Sequence, residues 1–330
     1  MSDAEDRCSM RSAEIDEPIE GSAPRARAWL VLEQPGPYGF SALATSHLPD
    51  PVKSALAETS TTSGTTILLS RAAGHHADDR VRADRDPRQR RFWFAHTAPG
   101  GVKMRSGVID DDDLLRPDLD DVLTAASRGE LPPWGSRDDD PLLLVCTNGR
   151  RDICCAVNGR PIVEALVADS SVSSRVLEVS HLGGHRFAPT AVLLPTGHAF
   201  GRLTADAARE VLGRAREGSL GALDHHRGRT ALAQPAQVAE NAVRRAEGID
   251  DLDALDALRR IEGRVAPASL RWEGDDGLAE VEVRHRDGRA WQVLTRRTPL
   301  SAARPESCGK SAAISQVWIA DAPESIARWS

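Results

Sequence analysis

The sequence predicts a mixed α/β protein built as two related halves with a smaller α+β appendage. Three observations predict it. Short apolar or alternating runs take turns with amphipathic helical stretches, the pattern of sheets covered by helices. A similar order of elements occurs before and after the break "PPWGSRDDD". Beyond about residue 220 the pattern changes to helices and a hairpin. At 330 residues the chain is long enough for roughly two or three domains. The expected division is a flexible tail over 1–25, an N-terminal α/β domain over 26–137, a second α/β domain over 138–220, and linker, helices and a β-hairpin over 221–330.

Taken in order, "AWLVLE" is a short apolar strand ended by the turn "QPGPYG". A helix is expected near Pro51–Glu58. "TTILLSR" and "RRFWFAHT" are rich in β-branched and aromatic residues and read as strands, with "VKMRSGVI" as another. "LRPDLDDVLTAAS" has Leu and Val at helical spacing. The acidic run Asp110–Asp113 before it fits a helix N-terminus, where negative charge is favoured. In the second half, "LLLVC" is a buried strand closing on Cys146. A polar loop follows, then a helix over about Arg160–Ala168 with Pro161 in its first turn. "SRVLEVSH" is an alternating strand and "TAVLLPTGHAFGRL" a pair of strands joined at Pro195–Gly197. Thr204 caps the helix "TADAAREVLGRARE". Strand, loop, helix, strand, strand pair, helix is the thioredoxin-like layout. The first half follows a similar order, with "QPGPYG" where the second has its cysteine loop, so a degenerate internal repeat is expected. Further on, "HHRGRTALAQPAQ" reads as linker, and "VAENAVRRAEG" and "LDALDALRRIEG" as amphipathic helices. "LAEVEVRHRDGRAWQVLTRR" reads as a hairpin turning at Asp287-Gly288.

Composition narrows the function. A net charge of −7 and a pI near 5.8 argue against nucleic-acid binding, and the basic patch "DPRQRRFW" sits among acids. The acidic N-terminus has no apolar core and does not read as a secretory signal. No window approaches the roughly 20 apolar residues of a membrane span. The expected compartment is therefore the cytoplasm, where clustered cysteines bind metal or do chemistry more often than they form disulfides.

Three of the five cysteines, Cys146, Cys154 and Cys155, lie in "LLLVCTNGRRDICCAVNGRP". Two histidines, His181 and His185, follow in "SHLGGHRFAP", with Gly183 and Gly184 between them to let the backbone fold closely around a bulky group. Cys146 ends one strand and the histidines follow another. Neighbouring parallel strands deliver such ends to one edge of an open sheet. Thiolate and imidazole together suit zinc or an iron–sulfur centre. Structural zinc sites space their cysteines more tightly. The wide loop from Cys146 to Cys155 suits a two-iron rhomb with two cysteines on one iron and two histidines on the other.

"CTNGRRDICCAVNGRP" followed by "HLGGHRFAPTAVLLPTGHAFGRL" resembles the sucrase/ferredoxin-like family, whose C-terminal part is a thioredoxin-like [2Fe–2S] ferredoxin. "CSMRSAEIDEPIEGSAPRARAWLVLEQPGPYG" and the late "ESCGK" also resemble segments of that family. The likeness is densest between Leu142 and Leu203. Laid on the family's two-cysteine, two-histidine pattern, it implies Cys146, Cys155, His181 and His185 as ligands of a [2Fe–2S] cluster. Cys154 stands as the alternative to Cys155, and otherwise as a packed neighbour or spare thiol. Arg151 and Asp152 are candidates for orienting the ligands.

The function so implied is electron transfer, with redox partner proteins that are unknown and neither nucleic acid nor membrane as a partner. Stand-alone catalysis is not implied. Two readings from other classes stay open. One is a thiol–disulfide oxidoreductase using Cys146 with Cys154 or Cys155, although rapid exchange favours the short Cys-x-x-Cys spacing. The other is a structural zinc module. Sugar hydrolysis, which the family name suggests, needs two carboxylates flanking the bond. No such pair stands out, and aromatic residues make up only 4% of the chain. Cys8 and Cys308, at opposite ends, are expected to be simple thiols without partners.

Overall fold

The structure is a computed structural model that describes residues 7–34, 38–73, 86, 88–261, 264–267 and 277–326. Residues 7–25 are not the flexible tail expected of an acidic segment, and 1–6 lie outside the described residues. Cys8–Glu14 form helix α1, and Ile19, Ala23 and Ala26 are buried. Residues 21–26 run beside a later strand, with Gly21 and Ala26 N–H groups donating to the carbonyls of Arg227 and Thr230 at 2.8 Å each. The segment carries no long apolar run because it is held by small residues, backbone hydrogen bonds and a buried ion pair.

The first half supplies β1 (Ala28–Glu33), α2 (Asp50–Thr62), β2 (Thr65–Ala72), β3 (Arg90–His96), β4 (Lys103–Ile109), α3 (Asp111–Leu114), α4 (Leu119–Ser127) and β5 (Ser136–Arg137). Asp110 and Asp113 form a capping box at α3, which accounts for the acidic run. The turn expected after β1 falls in part on 35–37, outside the described residues.

The second half supplies β6 (Leu142–Cys146), α5 (Ile153–Val167), β7 (Val176–Val179), β8 (Ala191–Leu194), β9 (His198–Phe200), α6 (Ala205–Arg216) and β10 (His226–Arg229). One ten-stranded sheet joins the halves in the order β10-β9-β8-β6-β7-β2-β1-β3-β4-β5. Each half repeats one scheme. Its first two strands are parallel, its third is antiparallel to the first, and its fourth and fifth continue antiparallel outward. The halves meet where their second strands, β2 and β7, pair antiparallel. One apolar layer crosses that junction, with Trp29, Val31 and Leu68 packed in the same cluster as Leu144, Cys146 and Val179.

Three expectations are corrected here. Helix α5 begins at Ile153, not near Arg160, so Cys154 and Cys155 stand on its first turn and Pro161 lies inside it. Asp152 fixes that start by accepting the Cys154 N–H at 2.9 Å. "HHRGR", expected as linker, contains the buried edge strand β10. "LDALRRI", expected as helix, is strand β11 (Leu255–Ile261). Its leucines at 252, 255 and 258 have helical spacing, but Leu255 and Ala257 alternate in period 2 and are buried. Pairing with the next long strand decides the outcome.

Helix α7 (Gln234–Glu247) links the main sheet to a second one. The second sheet comprises β11, β12 (Arg264–Pro267), β13 (Leu278–His285) and β14 (Ala290–Pro299). After the small hairpin of β15 (Arg304–Pro305) and β16 (Ala312–Ala313), β17 (Gln316–Ala320) and β18 (Glu324–Ile326) complete it against β14. The Asp287-Gly288 turn joins β13 to β14 as expected. Among the described residues no helix is long and apolar enough to cross a membrane.

Beside β10, a hydrogen-bonded chain links the Leu252 carbonyl, His198, His226 and Asn241 at 2.9, 2.9 and 2.7 Å. Burial, with nearby Arg244 and Arg229, pushes His226 down to about 3, and burial also holds His198 well below its ordinary value. Below the ordinary histidine pKa the unfolded chain therefore binds protons that these rings refuse, and stability falls with acid. Between about pH 6.5 and 5 the loss from His226 is roughly 2 kcal/mol, at about 1.4 kcal/mol per pH unit, and His198 adds to it in the same direction. Urea unfolding at pH 7.5, 6 and 5 will show a shallower acid slope for His226→Asn than for the parent; identical slopes would contradict this.

Candidate metal centre

Strands β6 and β7 are parallel neighbours with Cys146 opposite Val179. Cys146 closes β6, and His181 follows β7 by two residues. His185 opens the short 3-10 turn His185–Phe187. Cys155 approaches from the first turn of α5. Gly159 permits that approach, since a Cβ there would stand 2.5 Å from the Cys146 carbonyl oxygen. The loop between the histidines folds back through Gly184, whose φ is +73° and whose Cβ would lie 2.3 Å from the Arg227 guanidinium.

These placements bring the four residues together. The Cys155 sulfur lies 3.7 Å from His185 Nδ1, and the two imidazoles stack with centroids 4.8 Å apart. Cys146 and Cys155 are buried, while the histidines are half-buried. The Cys155 thiol hydrogen-bonds to Cys146, and with His181 alongside it holds the Cys146 thiol well below its ordinary value despite burial. The proton so kept pushes Cys155 up. Burial and the neighbouring His181 lower His185. His181 Nδ1 is buried with no hydrogen-bond partner. Two thiols and two imidazoles, one of them with an orphaned ring nitrogen, are donors of the kind that fits a metal centre.

Arg227, on β10, was not singled out by any motif. Only 1% of it is exposed. It donates to the Ser22 hydroxyl at 3.0 Å, to the Ser22 carbonyl, and to the Gly183 carbonyl at 3.3 Å. Burial pulls its pKa down to about 9, against the opposing pull of Cys146 and Cys155. It pins the histidine loop from beneath. Arg151 lies elsewhere, stacked over Phe40 at 4.2 Å.

Asp152 and Cys154 face a second cluster. Cys8 and Cys308, expected as isolated thiols, meet Cys154 there, so Cys154 packs against these two sulfurs, while Cys155 is the one whose sulfur lies beside His185. The three sulfurs lie 3.6 Å (Cys8–Cys154), 3.4 Å (Cys154–Cys308) and 3.7 Å (Cys8–Cys308) apart. An Asp152 oxygen is 3.6 Å from Cys8. Ligand atoms of all four residues lie within 4.8 Å of one another, so this buried group could hold a metal ion. Cys154 is lowered to about 6, chiefly by the hydrogen bond from Cys8, which is itself raised, and Cys308 is pushed up to about 11 by burial. One signal in the sequence pointed here. Assigning Cys146 and Cys155 to one centre leaves three cysteines, and two of them lie in the N-terminal and "ESCGK" segments already noted.

A buried ion-pair network joins the chain ends beside both clusters. Glu17, with no exposed surface, accepts from Arg304 at 2.7 and 2.5 Å and from Arg186 at 2.7 Å. Burial pushes its carboxyl up, but the two arginines outweigh that and hold it below the usual range.

The chain matches the family model described as Sucrase/ferredoxin-like over residues 20–228, more than half its length, and belongs to that family. No curated protein and no solved structure matches it. Cys146, Cys154, Cys155, His181 and His185 lie inside the matched stretch, whereas Cys8 and Cys308 lie outside it.

Removing the Glu17 charge takes from buried Arg304 its buried counter-ion and leaves it only the more exposed Glu306, 2.7 Å away. Glu17→Gln is expected to cost about 3 kcal/mol in urea unfolding, the order found when one partner of a buried pair is removed; a loss under about 1 kcal/mol, the scale of exposed pairs, would show that the pair is not held as described.

Proposed function

We propose that this member of the sucrase/ferredoxin-like family is an electron carrier that holds one [2Fe–2S] cluster through Cys146, Cys155, His181 and His185, within a thioredoxin-like half. The observation that carries this reading is the meeting of two buried thiols with two stacked imidazoles at the ends of two parallel strands. A cluster with two imidazoles in place of thiolates supplies one-electron chemistry at roughly −150 to +300 mV.

The protein's own part is to hold the donors and shape access. Cys146 and Cys155 sit behind the sheet edge, closed from water. The half-buried histidines form the side nearer solvent, so electrons enter and leave along that side. Arg227 keeps the histidine loop in place and sets a positive charge behind the thiolates, which favours their ionised form. A cleft of about 310 Å³ beside Thr147 has the exposed Arg150 and Arg160 in its lining. These two charges suit redox partner proteins with an acidic face. All five cysteines are free, which suits the cytoplasm as the compartment.

Anaerobically purified protein will be brown, with visible absorption bands and, after dithionite, the EPR signal of a reduced two-iron cluster, as the ligand set implies. Cys155→Ser is expected to abolish both, while Cys154→Ser keeps the bands. A colourless parent after careful reconstitution would return the four residues to zinc or thiol-exchange chemistry.

A further inference from the structure

We propose that Cys8, Cys154, Cys308 and Asp152 hold a second, separate metal centre: a single tetrahedral zinc ion that ties both ends of the chain to the first turn of α5. Its ligands come from α1, from the cap and first turn of α5, and from the turn of the β15–β16 hairpin. Only a folded chain brings them together, with Cys8 and Cys308 separated by 300 positions.

The distances decide the kind of centre. Four donors at about 2.3 Å from one tetrahedral ion stand about 3.8 Å from each other. The three sulfurs are 3.4–3.7 Å apart, and an Asp152 oxygen is 3.6 Å from Cys8. A two- or four-iron cluster distributes its cysteines over different irons with sulfides between them and needs a wider cage. A disulfide would need two sulfurs near 2.05 Å and would strand the third. Soft thiolates disfavour magnesium and calcium, while three sulfurs and one oxygen in a tetrahedron suit zinc.

The surroundings are those of a supported site. The Cys8 N–H donates to the Cys308 sulfur at 3.4 Å, and the Ser9 hydroxyl donates to Cys154 at 3.3 Å. Asn158 holds that hydroxyl at 3.2 Å. Asp152 is fixed by the Cys154 and Cys308 N–H groups at 2.9 and 2.8 Å, leaving lone pairs directed at the cluster. Such partners orient ligands and spread their negative charge. Cys8, Cys154 and Asp152 are buried, and Cys308 is half-buried.

The test uses the full chain, expressed in zinc-supplemented medium and purified anaerobically, with zinc and iron counted separately per chain. The parent is expected to hold about one zinc, and Cys308→Ser less than about a fifth of one, because a three-sulfur site loses a ligand. Cys308→Ser should keep its iron and visible bands, and Cys155→Ser should lose iron and keep zinc. Asp152→Asn should exchange its zinc faster than the parent in a chelator competition. If Cys308→Ser does not fold, cobalt replaces zinc in the parent, where tetrahedral thiolate bands are expected. A parent with no zinc and no tetrahedral cobalt spectrum, or with a disulfide among these cysteines by mass, overturns the proposal. Absence of iron alone would sink the electron-carrier reading and leave the zinc centre standing.

Discussion

The first turn of α5 is the constraint on which the rest of the structure depends. Asp152 caps it, and the two residues that follow Ile153 are adjacent cysteines. Successive side chains on a helix leave it roughly 100° apart. Cys155 therefore faces the sheet edge with Cys146 and His185, while Cys154 faces α1 and the β15–β16 hairpin. Had the turn started later, as the polar run before Arg160 suggests, both thiols would hang from a loop with no fixed direction. The cap makes two neighbouring residues serve two places, and one carboxylate both starts the helix and belongs to the second cluster.

The doubled sheet explains why the four-residue group sits where it does. Both halves lay down the same strand order, and they join through their second strands, β2 and β7. That junction places the end of β7 in the middle of a ten-stranded sheet. Arg71 of the first half reaches across to Glu178 at 2.5 Å, and Thr147 donates to the same carboxylate at 2.6 Å. This shared buried carboxylate adds a side-chain tie between β2, β7 and the end of β6 to their backbone pairing. The cysteines and histidines lie in one half alone, and the other half serves as its support.

The α/β class, most strands and the meeting of Cys146, Cys155, His181 and His185 were legible because each rests on local periodicity or on a loop at a strand end. What stayed illegible has a common cause: contacts between residues far apart in sequence. Residues 8–26 are buried through cysteines, small side chains and the Glu17–Arg304 pair, none of which gives a hydrophobic pattern. Strand β10 reads as polar linker because His226, Arg227 and Arg229 are buried through hydrogen bonds. Strand β11 carries leucines at helical spacing and is decided by pairing with β13. Cys8 and Cys308 reach their partners only once both ends have folded onto α5. Arg227 belongs to the same class, a charge whose partners, Ser22 and the Gly183 carbonyl, lie far away in sequence.

If Cys154 and Cys155 serve different metal centres, as we propose, two kinds of metal stand on either side of the first turn of α5. Anomalous difference maps from crystals of the anaerobic protein, recorded at the iron and zinc edges, test it most directly. The expected result is iron density bounded by Cys146, Cys155, His181 and His185, and a separate single zinc peak among Cys8, Cys154, Cys308 and Asp152. One shared peak touching both adjacent cysteines, or no metal at either place, would contradict it.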